Sequence, residues 1–111
     1  MINLPGDRAI FLYMEPTNMQ KSFHGLCKLV YQHDGRPDDG GYYVFVNRPQ
    51  THVKIMFWDG DGMVIYYKRL TQGTFSIPKL QGDKVCLDRR QLTLLMEGVV
   101  PLKTKRRFSR K

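Results

Sequence analysis

Three short segments in the middle of the chain, Tyr42–Asn47, Val53–Trp58 and Met63–Leu70, are rich in Val, Ile, Tyr, Phe and Trp and are bounded by turn residues. Arg48-Pro-Gln-Thr-His52 joins the first pair and Asp59-Gly-Asp-Gly62 the second. Parallel neighbours need a crossover of a dozen or more residues, so connections this short favour an antiparallel meander. Strand side chains alternate between faces, which puts Val53, Ile55 and Phe57 on one side and Lys54, Met56 and Trp58 on the other. Both faces are partly apolar. The sheet therefore needs a helix over one side and partial cover over the other.

The flanking sequence supplies that cover. Ala9–Met14 is a continuous apolar run of strand length, broken by Glu15-Pro16. Thr17 and Gln20 have the spacing of a capping box, and Met19, Phe23, Leu26, Cys27 and Val30 follow as one apolar stripe. Gln20, Lys21, His24, Lys28 and Gln32 form the polar side of this helix. Gly25 within it costs about 1 kcal/mol relative to alanine, which points to close packing as its reason. His33–Gly41 reads as a flexible loop. Gly73–Ile77 and Lys84–Leu87 are candidate short strands separated by Pro78. Asp88 and Gln91 repeat the cap spacing before a stripe of Leu92, Leu95, Met96 and Val99, with Gly98 placed as the stop and Pro101 beyond. The expectation is an α+β domain: an antiparallel β-meander with one longer N-terminal helix and a short C-terminal helix.

The chain has 111 residues, enough for one domain and not two. Its net charge of +8 is unevenly spread. Residues 103–111 carry six of the eighteen basic residues and no acid, leaving the first 102 with twelve basic and ten acidic residues, a balance of only +2. The boundaries expected are a domain over 1–102 and a basic, disordered tail over 103–111. Such a tail attracts phosphate backbones without regard to sequence, or serves only as a solvated terminus.

Cys27 and Cys86 form no CxxC pattern, and each sits in an apolar stretch where cysteine acts as a small hydrophobe. The N-terminus lacks the features of a secretory signal, and no apolar run approaches the roughly 20 residues that span a bilayer. These features imply a cytoplasmic protein with free thiols and no membrane partner.

Three ordered blocks resemble a known family. Phe57-Trp58-Asp59-Gly60-Asp61-Gly62 leads into Tyr67-Lys68-Arg69-Leu70, then Gly73-x-Phe75 and Pro78. Thr17, Met19, Lys21, Phe23, Gly25 and Leu26 match an N-terminal block, and Leu87, Gln91, Leu92, Leu95, Glu97 and Gly98 a C-terminal one. The pattern, over about residues 8–99, resembles the TnpB accessory-protein family of insertion sequences of the sixty-six type, which is unrelated to the RNA-guided nuclease of the same name. Asn18, Gln20 and His24 depart from it, standing where the family has Asp, Arg and Asp. The resemblance implies a bacterial mobile-element context, in which a separate transposase performs strand cleavage and joining. It brings no catalytic residues, cofactor or small-molecule substrate.

The residues offer few sites for chemistry. Asp59 and Asp61 are the acids of a hairpin turn or, alternatively, two carboxylates for a divalent metal. No bidentate acid follows to complete a calcium loop. His24, His33 and His52 share no metal-ligand spacing with either cysteine. The chain has no nucleophile elbow and no phosphate-binding glycine loop, so nothing supports catalysis.

Lys68 and Arg69, flanked by Tyr66, Tyr67 and Phe75, combine cations for phosphates with aromatics for bases, or else form a solvated strand end. Lys54 is a same-sheet neighbour. Lys68, Arg69 and Lys54 are thus the expected nucleic-acid contacts on the body, and Lys103, Lys105, Arg106, Arg107 and Arg110 those on the tail. The expected partners are DNA and the element's transposase. The alternative is a protein-interaction module that meets the transposase through an exposed sheet face around Met56 and Trp58, or through an edge strand.

Overall fold

Continuous β-formers dictate the centre of the sheet, and five strands assemble around them. The computed structural model describes residue 4 and residues 6–100; the limit expected at residue 102 and the tail lie outside the described residues. In chain order the elements are β1 (Ile10–Tyr13), α1 (Phe23–Gln32), β2 (Tyr42–Val46), β3 (His52–Trp58), β4 (Met63–Arg69), β5 (Lys84–Leu87) and α2 (Arg89–Glu97). The strands form one sheet in the order β4-β3-β2-β1-β5. The β2–β3–β4 meander is antiparallel, as its short turns require. β1 instead lies parallel to β2, with α1 as the crossover, and β5 closes the other edge antiparallel to β1.

β2 reads Tyr-Tyr-Val-Phe-Val and is buried along its whole length because the sheet is covered on both faces. On one face Tyr13, Tyr43, Phe45 and Met56 pack with Leu26 and Val30 of α1. On the other, Ile10, Leu12, Val44, Val53 and Ile55 pack with Leu92, Leu95 and Met96 of α2. The alternation in β3 holds, with Val53 and Ile55 in one core and Met56 in the other. Met56 is fully covered, so the exposed sheet face expected around it does not exist.

α2 begins as its sequence dictates. The Asp88 carboxylate accepts from the Gln91 amide at 2.7 Å, and the Gln91 side chain accepts from the Asp88 amide at 2.9 Å. Gly98 follows as the C-cap at φ 76°.

α1 departs from expectation. No helix opens at Thr17; that residue is buried, and its amide donates to the Val46 carbonyl at 2.8 Å. Asn18 then turns the chain, its side chain accepting from the Gln20 amide. The carbonyls of Met19 and Lys21, which would accept from Phe23 and Gly25 in a longer helix, instead hold the Lys54 ammonium. The ladder starts one step later, with the Leu26 amide donating to Ser22 at 2.8 Å. Phe23, expected in the stripe, is 45 % exposed for the same reason. Gly25 packs closely, but against the Lys21 side chain of its own segment.

The strand expected at Gly73–Ile77 is reduced to a single bridge between Thr74 and Val99. Gly73 takes φ 74°, where a Cβ would strike the Val99 carbonyl, and the Phe75 amide is taken by the Gln50 carbonyl at 2.7 Å. The segment thereby delivers Phe75, 1 % exposed, into the α2-side core. The loop before β2 is tied down: Asp39 accepts from the Gly41 amide at 2.8 Å and from the Tyr43 hydroxyl at 2.7 Å. Both cysteines are free thiols. Cys27 lies 3.9 Å from the Met56 sulfur, with its pKa pushed up by burial, whereas Cys86 is exposed rather than packed.

Candidate nucleic-acid interface

The start of β3 and the end of β4 meet at one end of the sheet. Register pairs His52 with Arg69, Val53 with Lys68 and Lys54 with Tyr67. Directly opposed residues share a face, so His52, Lys54, Tyr67 and Arg69 lie together while Val53 and Lys68 lie on the other side. Adjacent Lys68 and Arg69 are thus separated by the sheet.

Each expected cation on the body has a distinct fate. Lys68 reaches the α2 face, and its ammonium donates to the Met96 carbonyl at 3.1 Å, placing positive charge at the negative end of that helix. Lys54 is 7 % exposed. Its ammonium donates to the Met19 and Lys21 carbonyls, both at 2.8 Å, and lies 4.7 Å from the centre of the Tyr67 ring. That charge fastens the segment before α1 onto the sheet. Arg69 alone of the three is exposed. The five tail residues Lys103, Lys105, Arg106, Arg107 and Arg110 lie outside the described residues.

The Asn47–His52 turn completes this end of the sheet. The Asn47 carboxamide oxygen accepts from the amides of Thr51 (2.9 Å) and His52 (3.0 Å), which turns its nitrogen toward the imidazole. That nitrogen donates to the Thr51 hydroxyl at 3.1 Å and to His52 Nδ1 at 3.0 Å. Nδ1 must then accept, so the neutral ring carries its proton on Nε2. The His52 ring sits 6.0 Å from Tyr67, which is 52 % exposed. Arg48 projects from the turn and lines a shallow cleft of about 380 Å³ with Asn18, Met19 and Asn47.

No acid occurs in residues 16–33, 40–58 or 62–82. Among the described residues, Lys21, Arg48 and Arg69 form no ion pair. The Asp59 and Asp61 carboxylates lie in the turn at the far end of the β3–β4 hairpin. There Asp59 accepts from the Gly62 amide at 3.2 Å and its own amide donates to the Gly62 carbonyl, which closes the hairpin turn. Among the described residues no cluster of three or more His, Cys, Asp or Glu is arranged to hold a metal ion. Nor is any helix there long and apolar enough to cross a membrane.

Arg48 and His52 join Tyr67 and Arg69 on this surface, although neither was among the residues expected there. The signal was the hairpin itself: once Trp58 opposes Met63 across the turn, counting back pairs His52 with Arg69.

The motif blocks also acquire physical meaning. In Tyr67-Lys68-Arg69-Leu70 one residue covers Lys54, one meets α2, one faces solvent, and Leu70 packs beside Gly98.

Comparison with known proteins agrees with those blocks. The family model described as IS66 Orf2 like protein matches residues 8–106. Two proteins of Sinorhizobium fredii (strain NBRC 101917 / NGR234) are similar to this chain. Uncharacterized protein y4hO is 33% identical over 63 residues, 57% of this chain and 55% of that protein, so the match spans about half of the relative's length. Uncharacterized protein y4jC is 25% identical over 99 residues, covering 88% of this chain and 85% of its own length. No solved structure matches. With nearly all of the described domain inside the matched range, the chain belongs to the IS66 Orf2-like family of insertion-sequence accessory proteins.

Proposed function

We propose that this chain is a non-catalytic accessory factor of transposition that binds DNA in the cytoplasm and works beside the element's transposase. The observation that carries this reading is basic charge left without ion-pair partners. One end of the sheet presents Arg48 and Arg69, neither ion-paired among the described residues, and residues 103–111 add six further cations and no acid. Together they form an electrostatic footprint for a phosphate backbone. Lys54 and Lys68 are held by carbonyls of the fold, Lys54 beneath this surface and Lys68 on the opposite face, rather than contributing free cations.

The test is anisotropy of labelled duplexes carrying the element's terminal repeat, against a scrambled control, through a salt series. Affinity should fall steeply with salt. Deleting residues 103–111 should flatten the log–log slope by about 0.9 for every phosphate that the tail neutralises. Salt-insensitive binding, or none, overturns the reading. Tighter binding to the repeat would make the protein a reader of element ends.

A second reading, docking to the transposase with little DNA affinity, is favoured by one observation. Leu94 and Val99 are 54 % and 52 % exposed beside a cleft lined by Ile77, Pro78 and Leu95. Co-purification of the two proteins without DNA would support it, and failure to associate with or without DNA would remove it.

A further inference from the structure

The end of the β3–β4 hairpin that carries His52 and Arg69 contains an aromatic ring whose exposure and support call for an occupant. Tyr67 stands on the edge strand, with half its surface open, although tyrosine carries a large apolar area that packing normally hides. It is not a loosely held surface residue. Beneath it lies the Lys54 ammonium, 4.7 Å from the ring centre, itself fixed by two backbone carbonyls. Beside it, 6.0 Å away and tilted by 38°, is the His52 ring, oriented by Asn47 and Thr51. The Lys54 ammonium over the ring and the imidazole beside it hold the tyrosine in place while about half of the residue stays open to solvent.

The surroundings select the ligand. Arg69 opposes His52 across the strands, Arg48 projects from the adjoining turn, and neither forms an ion pair among the described residues. His52 carries its proton on Nε2, leaving a neutral donor outside the network that holds Nδ1. An exposed ring flanked by unpaired guanidinium groups and a neutral donor matches a nucleotide with an unstacked base: the ring takes the π face and the cations take the flanking phosphates. A duplex hides the faces of its bases, so the match is to a single strand.

Resting on the DNA-binding reading above, we propose that Tyr67 is a stacking platform for an unpaired base of single-stranded DNA, with Arg69 and Arg48 on the adjacent phosphates and His52 as a donor to the same nucleotide.

The experiment uses the full chain and three labelled probes of one sequence: a single-stranded 15-mer, its duplex, and the single strand with abasic sites at its central positions. Stacking of one base predicts a roughly 5- to 100-fold loss of single-strand affinity in Tyr67→Ala, with retention in Tyr67→Phe and little change on the duplex. The abasic strand should lose a similar factor against the unmodified protein, so the result does not depend on a variant folding. Equal binding of the intact and abasic strands overturns the platform and leaves the basic-tail reading standing. So does a Tyr67→Ala loss that is the same on duplex and single strand. If the wild-type protein binds no DNA of any kind, both readings fall together.

Discussion

Two tyrosines that touch each other should respond in opposite directions to the loss of a hydroxyl. Tyr13 and Tyr43 pack edge to face at 6.2 Å, and both are buried. The Tyr13 hydroxyl is shielded from solvent and meets no hydrogen-bond partner among the described residues. A buried polar group left unpaired costs about 1–3 kcal/mol. In Tyr13→Phe the ring packing on Phe45 at 4.8 Å and His33 at 5.0 Å persists. The void left by the oxygen costs only roughly 0.3 kcal/mol at about 24 cal/mol per Å³. The variant should therefore be more stable by about 1 kcal/mol, a rise in Tm of roughly 4 °C for a domain of this size.

Tyr43→Phe removes a 2.7 Å hydrogen bond to the Asp39 carboxylate. Bonds to charged groups contribute about 1.5–3 kcal/mol, and the lower end applies because Asp39 is exposed and keeps the Gly41 amide. Urea denaturation of the two variants beside the wild type reads both signs at once. A Tyr13→Phe protein destabilised by more than about 0.5 kcal/mol would refute the reasoning, because the hydroxyl would then have a favourable partner.

The same pair sets an alkaline limit. Burial first, and then the Asp39 charge, pushes the Tyr13 hydroxyl above the ordinary tyrosine range; for Tyr43 burial leads and its bond to Asp39 adds to it. Both groups hold their protons more tightly folded than unfolded. Their contribution is whole below about pH 10 and is lost as pH rises from there through the raised folded values. Wild-type stability should fall above about pH 10 more steeply than that of a Tyr13→Phe, Tyr43→Phe double variant; parallel curves would contradict the assignment.

Three further substitutions probe the scaffold. Lys54→Met should cost about 2–3 kcal/mol, because the Met19 and Lys21 carbonyls lose their donor; an unchanged denaturation midpoint would show that they re-pair easily. Asp88→Ala should cost about 1 kcal/mol by removing the capping box of α2, visible as a lower Tm and reduced helical circular dichroism. Gly73→Ala combines a positive φ with a collision at the Val99 carbonyl and should cost more than about 2 kcal/mol by urea titration; a near-neutral result would mean that the Thr74–Val99 bridge shifts freely.

Much of the architecture was legible because it is written in local chemistry. The meander follows from strand formers separated by turns too short for a crossover, and α2 from a cap and an apolar stripe that its own residues satisfy. The Asp59–Gly62 turn likewise closes on its own side chain. The three motif blocks were enough to identify the family before any packing was known.

Other features belong to contacts between distant segments. Ala9–Met14 could be read as a buried strand, but its parallel place beside β2 depends on α1 crossing over the sheet. Thr17 and Gln20 have the spacing of a cap, yet Lys54, more than thirty residues later, draws the neighbouring carbonyls away and delays the helix. In the same way Lys68 and Arg69, adjacent in sequence, part to opposite faces because strand side chains alternate.

Local propensity and turn chemistry act over a few residues, so the sequence alone determined the meander, α2, the family and the charge excess of the tail. Which cation is spent holding the fold, and which aromatic is left open beside the free ones, is decided by strand register and burial, and these exist only once the sheet has formed.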